Sequence, residues 1–115
     1  MSGFVANIVG VHDGDTITVQ ADLMPLLGVE GSVTHHIRLL GINAPELATP
    51  DGKTAAAWLT SLALHRDCLV AISGVDKYGG RVDGDVWLAG DTTTLSDQAV
   101  AAGHAKPWNG KGPKP

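Results

Sequence analysis

The sequence has a single cysteine, few aromatic residues and no excess of positive charge, and each shortage excludes a class of protein. Because Cys68 is the only cysteine, the chain forms no intrachain disulfide and carries no cysteine-rich zinc site. Aromatic residues make up 4% of the chain, so we expect a core of mainly aliphatic side chains. A formal net charge of −4 argues against a domain that coats nucleic acid through bulk electrostatic attraction.

Long hydrophobic runs are also missing. No segment approaches the ~18 apolar residues of a membrane helix, and the start MSGFVANIVGV lacks the basic region and apolar stretch of a signal peptide. We therefore expect a cytoplasmic protein that does not bind membranes, and we leave secretion open because a removed pre-sequence leaves no trace. We also expect a monomer.

The 115 residues suit one compact domain, and their pattern is that of a small barrel. Apolar and polar residues alternate over 15–23, which predicts a strand, whereas a 3.6-residue period over 53–66 predicts a helix. The predicted elements are strands at 4–12, 15–23, 33–42, 68–75 and 81–89 and helices at 53–66 and from Thr94. This is the connectivity of a five-stranded OB-fold-like barrel, so we expect a mainly β domain with two helices over residues 1–108 and a flexible tail over 109–115.

Two acidic residues bracket a glycine in the stretch Asp13-Gly14-Asp15-Thr16. One interpretation is a tight turn made of residues that favour turns. The other is a site for a hard cation, because carboxylate oxygens at a turn suit calcium or magnesium. The stretch by itself does not decide between them.

A second group of polar residues surrounds the end of the third predicted strand. Arg38 lies between Ile37 and Leu39, so its side chain leaves the face that those two residues use. It is either an exposed strand arginine or a ligand for two phosphate oxygens, which the planar guanidinium matches. Glu46, on the following loop, can accept a proton from water.

The five histidines form no metal-binding pattern. His35 and His36 are neighbours in a predicted strand, so their side chains point to opposite faces and do not share one ion. No HExxH spacing occurs, so a zinc hydrolase has no support. We expect structural or surface roles, with His36 on the same face as Arg38.

Four motifs are uninformative singly, but their order along the chain indicates a family. They are DGDT at 13–16, IRLLGINAPE at 37–46, DKYGGR at 76–81 and LSDQAVAAGHAK at 95–106. In this combination the chain resembles the staphylococcal nuclease family, the thermonuclease-like domain, as a short single-domain version over residues 5–108. The resemblance implies a five-stranded barrel and a calcium-dependent nuclease, an endonuclease of DNA or RNA that prefers single strands.

The resemblance also implies a role for each matched residue. Asp15 would bind the metal directly, and Asp13 would support the metal's outer shell. Asn43 falls where the family often has a ligating aspartate, and Ala44 would offer its backbone carbonyl to the metal. Glu46 would hold or deprotonate the attacking water.

The same resemblance implies contacts with the substrate. Arg38 and Arg81 would bind the scissile phosphate as catalytic groups. Lys77 and Tyr78 would line the nucleotide pocket, and Trp108 lies near the segment where relatives place stacking aromatic residues.

Two departures from the family pattern keep a second function open. Asn43 is neutral where an anionic ligand is common, which predicts weaker calcium binding because ligand charge contributes to affinity. DKYGGR has one more glycine than the commoner DKYGR, and a shift of one residue would turn Arg81 to the other face of a strict strand. A bulge at Gly80 would restore its direction. With a weakened site, the barrel would instead be a module that binds nucleic acid or a protein partner.

Overall fold

Five long strands form the wall of a closed barrel. The computed structural model describes residues 3–23, 27–75 and 81–115. Within these ranges the strands are β1 (Gly3–Asp13), β2 (Thr16–Asp22), β3 (Ser32–Leu39), β4 (Ile42–Asn43), β5 (Asp67–Val75), β6 (Arg81–Leu88) and β7 (Lys106–Pro107). The helices in the same ranges are α1 (Pro50–Ala63) and α2 (Leu95–Ala101).

The strand order around the barrel is β1-β2-β3-β6-β5, and β5 pairs with β1 to close it. Strands β1, β2 and β3 form an antiparallel meander, whereas β3 and β6 run parallel because α1 and β5 lie between them in the chain. This order confirms the prediction of a mainly β, OB-fold-like barrel with two helices.

Aliphatic side chains fill the barrel, as the low aromatic content predicts. The largest fully buried residues are Ile8, Ile17, Val19, Ile37, Leu39, Leu59, Val70, Val86, Leu88 and Leu95. Cys68 is also buried, and its burial, followed by the negative charge of Asp67, raises the pKa of the thiol to about 11. The thiol is therefore protonated and unreactive at neutral pH.

The third strand is shorter than the sequence predicts. We predicted one strand over 33–42, but β3 ends at Leu39 and a turn at Leu40 and Gly41 separates it from β4. Gly41 has a φ of 79°, a left-handed conformation that favours glycine and interrupts the extended backbone. Ile42 is as buried as the strand residues before it, so the hydrophobic pattern does not reveal the break.

Each helix begins at a side-chain cap. The Thr49 hydroxyl accepts a hydrogen bond from the N–H of Gly52 at 3.0 Å, so α1 starts at Pro50, earlier than its apolar period predicts. The Thr94 hydroxyl accepts from the N–H of Asp97 at 3.1 Å and starts α2 where predicted. Neither helix in the described ranges is long and apolar enough to cross a membrane.

Candidate active site

The turn that carries Asp15 is joined to β3 through its backbone. The N–H of Asp15 donates to Oδ1 of Asp13 at 3.1 Å, and the carbonyl of Asp15 accepts from the N–H of Leu39 at 2.8 Å. The tight-turn interpretation of this stretch is therefore correct. The turn also directs the Asp15 carboxylate toward the segment that follows β4, so it does not exclude a cation site.

Three groups surround the Asp15 carboxylate. Its Oδ1 accepts a hydrogen bond from Thr16 Oγ1 at 3.2 Å, and its Oδ2 accepts one from the N–H of Ala44 at 2.9 Å. Nη1 of Arg38 lies 3.6 Å from the same Oδ2. Because Asp15 is only 7% exposed, little solvent screens this group of contacts. The fold thus brings together the DGDT and IRLLGINAPE motifs.

The environment of Asp15 disfavours its ionised form. Burial raises the pKa of Asp15, and a hydrogen bond to the Asp13 carboxyl raises it further. The Ala44 N–H and the Arg38 guanidinium lower it, but the net direction is upward. A bound cation would reverse this balance, because its positive charge would stabilise both carboxylates.

The oxygen atoms near Asp15 are of the kind that binds a hard cation, but few of them belong to acidic side chains. In the part of the chain that the structure describes, no three His, Cys, Asp or Glu side chains are grouped to hold a metal. A cation at Asp15 would therefore need amide, backbone or water oxygens, which calcium accepts. Asn43 and Ala44 belong to the segment that contacts Asp15, so they can supply such oxygens. Their roles as ligands stay predictions.

Arg38 is held beside Asp15 by further contacts. Ile37 and Leu39 are fully buried, so Arg38 points out of the barrel as predicted, with its side chain 14% exposed. Its Nη1 donates to the carbonyl of Leu39 at 3.1 Å. Its Cζ lies 5.8 Å from the centre of the Trp108 ring.

Arg81 begins β6 on the same face of the sheet as Arg38. The parallel register places His36 opposite Arg81 and Arg38 opposite Asp83. Along β6 the buried positions are 84, 86 and 88, so the odd-numbered residues share the outer face. The additional glycine before β6 has therefore not moved Arg81 to the inner face. Its role at the phosphate stays a prediction.

The turn at residues 76–80, before Arg81, is not among the residues that the structure describes. Lys77, Tyr78 and the predicted bulge at Gly80 lie outside the residues that the structure describes. In the described part of β5, the pairing with β6 shifts between Ile72 and Gly74, where β5 has one additional residue. The ladder thus contains a bulge on the strand that precedes the turn.

Glu46 combines a fixed backbone with an exposed carboxylate. Its carbonyl accepts hydrogen bonds from the N–H of Thr49 at 2.9 Å and from the Thr49 hydroxyl at 2.6 Å. Gly52, in the first turn of α1, packs against the same carbonyl so closely that a Cβ would collide with it. The side chain of Glu46 is exposed, as a group that orients water needs to be.

Two glycines shape the site in a way that the sequence did not reveal. A Cβ on Gly14 would lie 2.7 Å from Cβ of Ala44 and 2.9 Å from Cβ of Ala55, so only glycine lets the turn approach both. Gly52 has the corresponding role beneath Glu46. Glycine is common in Asp-Gly turns whatever packs against it, so the sequence does not reveal that Gly14 is also needed for close packing.

The histidines near the site make structural contacts. Nδ1 of His36 lies 3.0 Å from the Thr18 hydroxyl across the β2–β3 pair, and the His35 ring packs on Phe4 with ring centres 5.7 Å apart. The two side chains lie on opposite faces of β3, as their adjacent positions predict.

Known proteins share this sequence pattern. The profile of the family described as staphylococcal nuclease homologue matches residues 36–113, which is more than half of the chain. Protein ParB of Escherichia coli is 35% identical, with 70% of this chain and 40% of that protein covered. A protein named Probable endonuclease LCL3, from Yarrowia lipolytica (strain CLIB 122 / E 150), is 34% identical, with 70% and 39% covered. The chain thus spans about 40% of the length of these two relatives. The chain belongs to the staphylococcal nuclease family.

Proposed function

We propose that this domain hydrolyses phosphodiester bonds of DNA or RNA with the help of calcium. The observation that carries the proposal is the arrangement of Asp15, Arg38 and the Ala44 N–H, with Arg38 Nη1 3.6 Å from Asp15 Oδ2. Membership of the family supports it, as does the printed name of the Yarrowia relative, a probable endonuclease.

The outward-facing arginines suit the charge that develops during hydrolysis. When water attacks the phosphorus and the bond to the leaving oxygen breaks, negative charge grows on the equatorial phosphoryl oxygens. The planar guanidinium of Arg38 can donate two parallel hydrogen bonds to such oxygens, and Arg81 on the same face can add a second cation. Glu46 then orients the water and accepts its proton.

The proposed calcium site lies at the Asp15 carboxylate, next to Arg38. Asp15 would bind the ion directly, Asp13 through its outer shell, and Asn43 and Ala44 through an amide and a carbonyl oxygen. Bound there, calcium would supply positive charge to a phosphoryl oxygen. Burial, followed by the hydrogen bond with the Asp13 carboxyl, raises the pKa of Asp15, and a cation would stabilise the negative charge that this environment disfavours.

Cleavage assays with a matched pair of variants test this function. Labelled single-stranded DNA and RNA are incubated with the wild type, Glu46→Ala and Glu30→Ala, in calcium or in a chelator. We expect calcium-dependent cleavage that Glu46→Ala slows about a hundredfold or more, since one positioned catalytic group contributes roughly this much. Glu30 is also exposed, but it lies in the loop that joins β2 to β3, whereas Asp15 and Arg38 lie at the opposite end of these two strands. Glu30→Ala should therefore cleave at the wild-type rate.

The second candidate function is a binding module without catalysis. The neutral Asn43 at a ligand position and the net charge of −4 favour it. In the same assay, a wild type that binds the strands but cleaves none of them with calcium, magnesium or manganese would establish this alternative. Such a result would overturn the proposed hydrolysis.

Restoring a charge at position 43 should strengthen calcium binding. Asn43→Asp adds a negative charge at a position where we propose a calcium ligand. Two opposite unit charges about 4 Å apart attract each other by about 1 kcal/mol even in water, so the new carboxylate should raise the affinity for calcium by roughly fivefold or more. Isothermal titration calorimetry measures the change. Gln20→Glu adds the same charge at the far end of β2 and should leave the affinity unchanged. Equal affinities in wild type and Asn43→Asp would remove Asn43 from the site.

A further inference from the structure

Trp108 contacts the arginine of the candidate site rather than standing apart from it. The Arg38 Cζ lies over the Trp108 ring at 5.8 Å from its centre, and Nζ of Lys114 lies over the same ring at 5.7 Å. These distances are within the range of cation–π attraction. The ring thus lies close to two cations.

The backbone around Trp108 is anchored to the segment that carries the site. The N–H of Trp108 donates to the carbonyl of Gly41 at 2.8 Å, and β7 pairs with β4 so that Lys106 is opposite Asn43. The indole N–H donates to the carbonyl of Lys111 at 3.1 Å. Because the main chain and the ring are both held, Trp108 is a fixed surface for Arg38.

We propose that Trp108 is a positioning residue that orients the Arg38 guanidinium for phosphate binding, rather than a surface on which a base stacks. The role rests on the proposed function, and it follows from how the contacts of Arg38 divide. Cζ of the guanidinium lies over the indole ring, whereas the contacts with Leu39 and Asp15 both involve Nη1. Cation–π attraction uses no N–H hydrogen bond of the guanidinium, whereas phosphate oxygens accept hydrogen bonds from its N–H groups. The ring therefore holds the guanidinium without competing with phosphate for hydrogen bonds.

Kinetics separate this positioning role from a general effect on folding. Trp108→Leu removes the ring but keeps an apolar side chain, and Trp108→Phe restores an aromatic face. We expect kcat to fall about tenfold in Trp108→Leu and to recover to within about threefold in Trp108→Phe, the range that a cation–π contact of ordinary strength allows. Trp87→Leu is the matched control, because Trp87 lies on β6 opposite Leu69 and should leave kcat unchanged.

A double-mutant cycle shows whether Trp108 acts through Arg38. In an Arg38→Lys background, Trp108→Leu should change kcat by less than about twofold, because the group that the ring orients is already gone. Equal effects of Trp108→Leu in the wild-type and Arg38→Lys backgrounds would overturn the proposal. A larger rise in KM than fall in kcat, with kcat insensitive to the cycle, would instead indicate base stacking and would also overturn it.

NMR of the Arg38 side chain tests the contact without any catalysis. The Nε–H resonance of Arg38 should carry a ring-current shift that Trp108→Leu abolishes and Trp87→Leu preserves. Titration with inorganic phosphate should move this resonance in the wild type at concentrations several-fold lower than in Trp108→Leu. If the wild type does not cleave nucleic acid but these NMR differences hold, the proposed hydrolysis fails while the positioning of Arg38 stands. An Arg38 resonance that is indifferent to Trp108 would overturn the positioning role whatever the activity.

Discussion

Replacing Asp15 with asparagine is expected to slow cleavage about a hundredfold or more and, in metal-free buffer, to raise the melting temperature. Asparagine keeps the shape and can still accept from the Ala44 N–H and donate to the Thr16 hydroxyl. It removes the charge that burial and the Asp13 carboxyl make unfavourable. The hundredfold effect on cleavage follows from our proposal that Asp15 binds the calcium ion directly.

The effect of Asp15→Asn on stability should depend on pH, because the pKa of Asp15 differs between the folded and the unfolded chain. The pKa of Asp15 is higher in the folded chain than in the unfolded chain, so at a pH below its ordinary value both states bind the proton and Asp15 makes no difference. As the pH rises, the unfolded state releases the proton first, so stability falls until the pH passes the raised pKa. The advantage of Asp15→Asn should therefore grow as the pH rises above about 4, the ordinary pKa of an aspartate, and vanish below it.

Asp85→Asn is the matched control for this prediction. Burial and the charge of Asp97 raise the pKa of Asp85, so the exchange should also raise the melting temperature at neutral pH. Our proposal gives Asp85 no role in binding calcium or phosphate, so cleavage should remain at the wild-type rate. Thermal melts with a chelator and the DNA assay measure both effects. A melting temperature of Asp15→Asn below that of the wild type would show that the charge of Asp15 stabilises the fold.

Replacing Gly52 with alanine is expected to destabilise the domain and to slow cleavage together. Intrinsic helix propensity favours alanine over glycine by about 1 kcal/mol, so a destabilised variant would point to a specific clash. That clash is with the Glu46 carbonyl, which packs against Gly52 and anchors the loop. Overpacking typically costs about 1–3 kcal/mol, which lowers the melting temperature of a domain of this size by roughly 4 °C for each kcal/mol.

The activity of Gly52→Ala should fall because the loop must move. A displacement of about 1 Å in a group that orients water can slow a reaction by roughly a hundredfold. Gly74→Ala is the control, since no atom lies within 4 Å of a Cβ there, and it should change stability by less than about 0.5 kcal/mol. Chemical denaturation and the cleavage assay on both variants provide the comparison. A Gly52→Ala protein as stable and active as the wild type would mean that the loop yields without cost.

Local patterns in the sequence were sufficient for most of the fold. The alternation in β2 and the apolar stripe of α1 are short-range properties, and the ends of both elements lie within three residues of where these patterns predict them. The break at Gly41 was missed because Leu39 and Ile42 are both buried, and burial on either side of a turn leaves the hydrophobic pattern unbroken. The helix α1 begins before its apolar stripe because the Thr49 cap holds its first turn.

The motifs and the hydrophobic pattern of the sequence were enough to predict the barrel and the family. The hydrogen bond between Asp15 and Ala44, which are 29 residues apart, is visible in the folded chain alone. The same is true of the outer face that Arg81 shares with Arg38, and of the position of Arg38 Cζ over the Trp108 ring. The physical reason is that periodicity reports which way a side chain points along one element. Which side chains meet depends on how the strands close around the core, and the packing of Gly52 against the Glu46 carbonyl becomes visible only there.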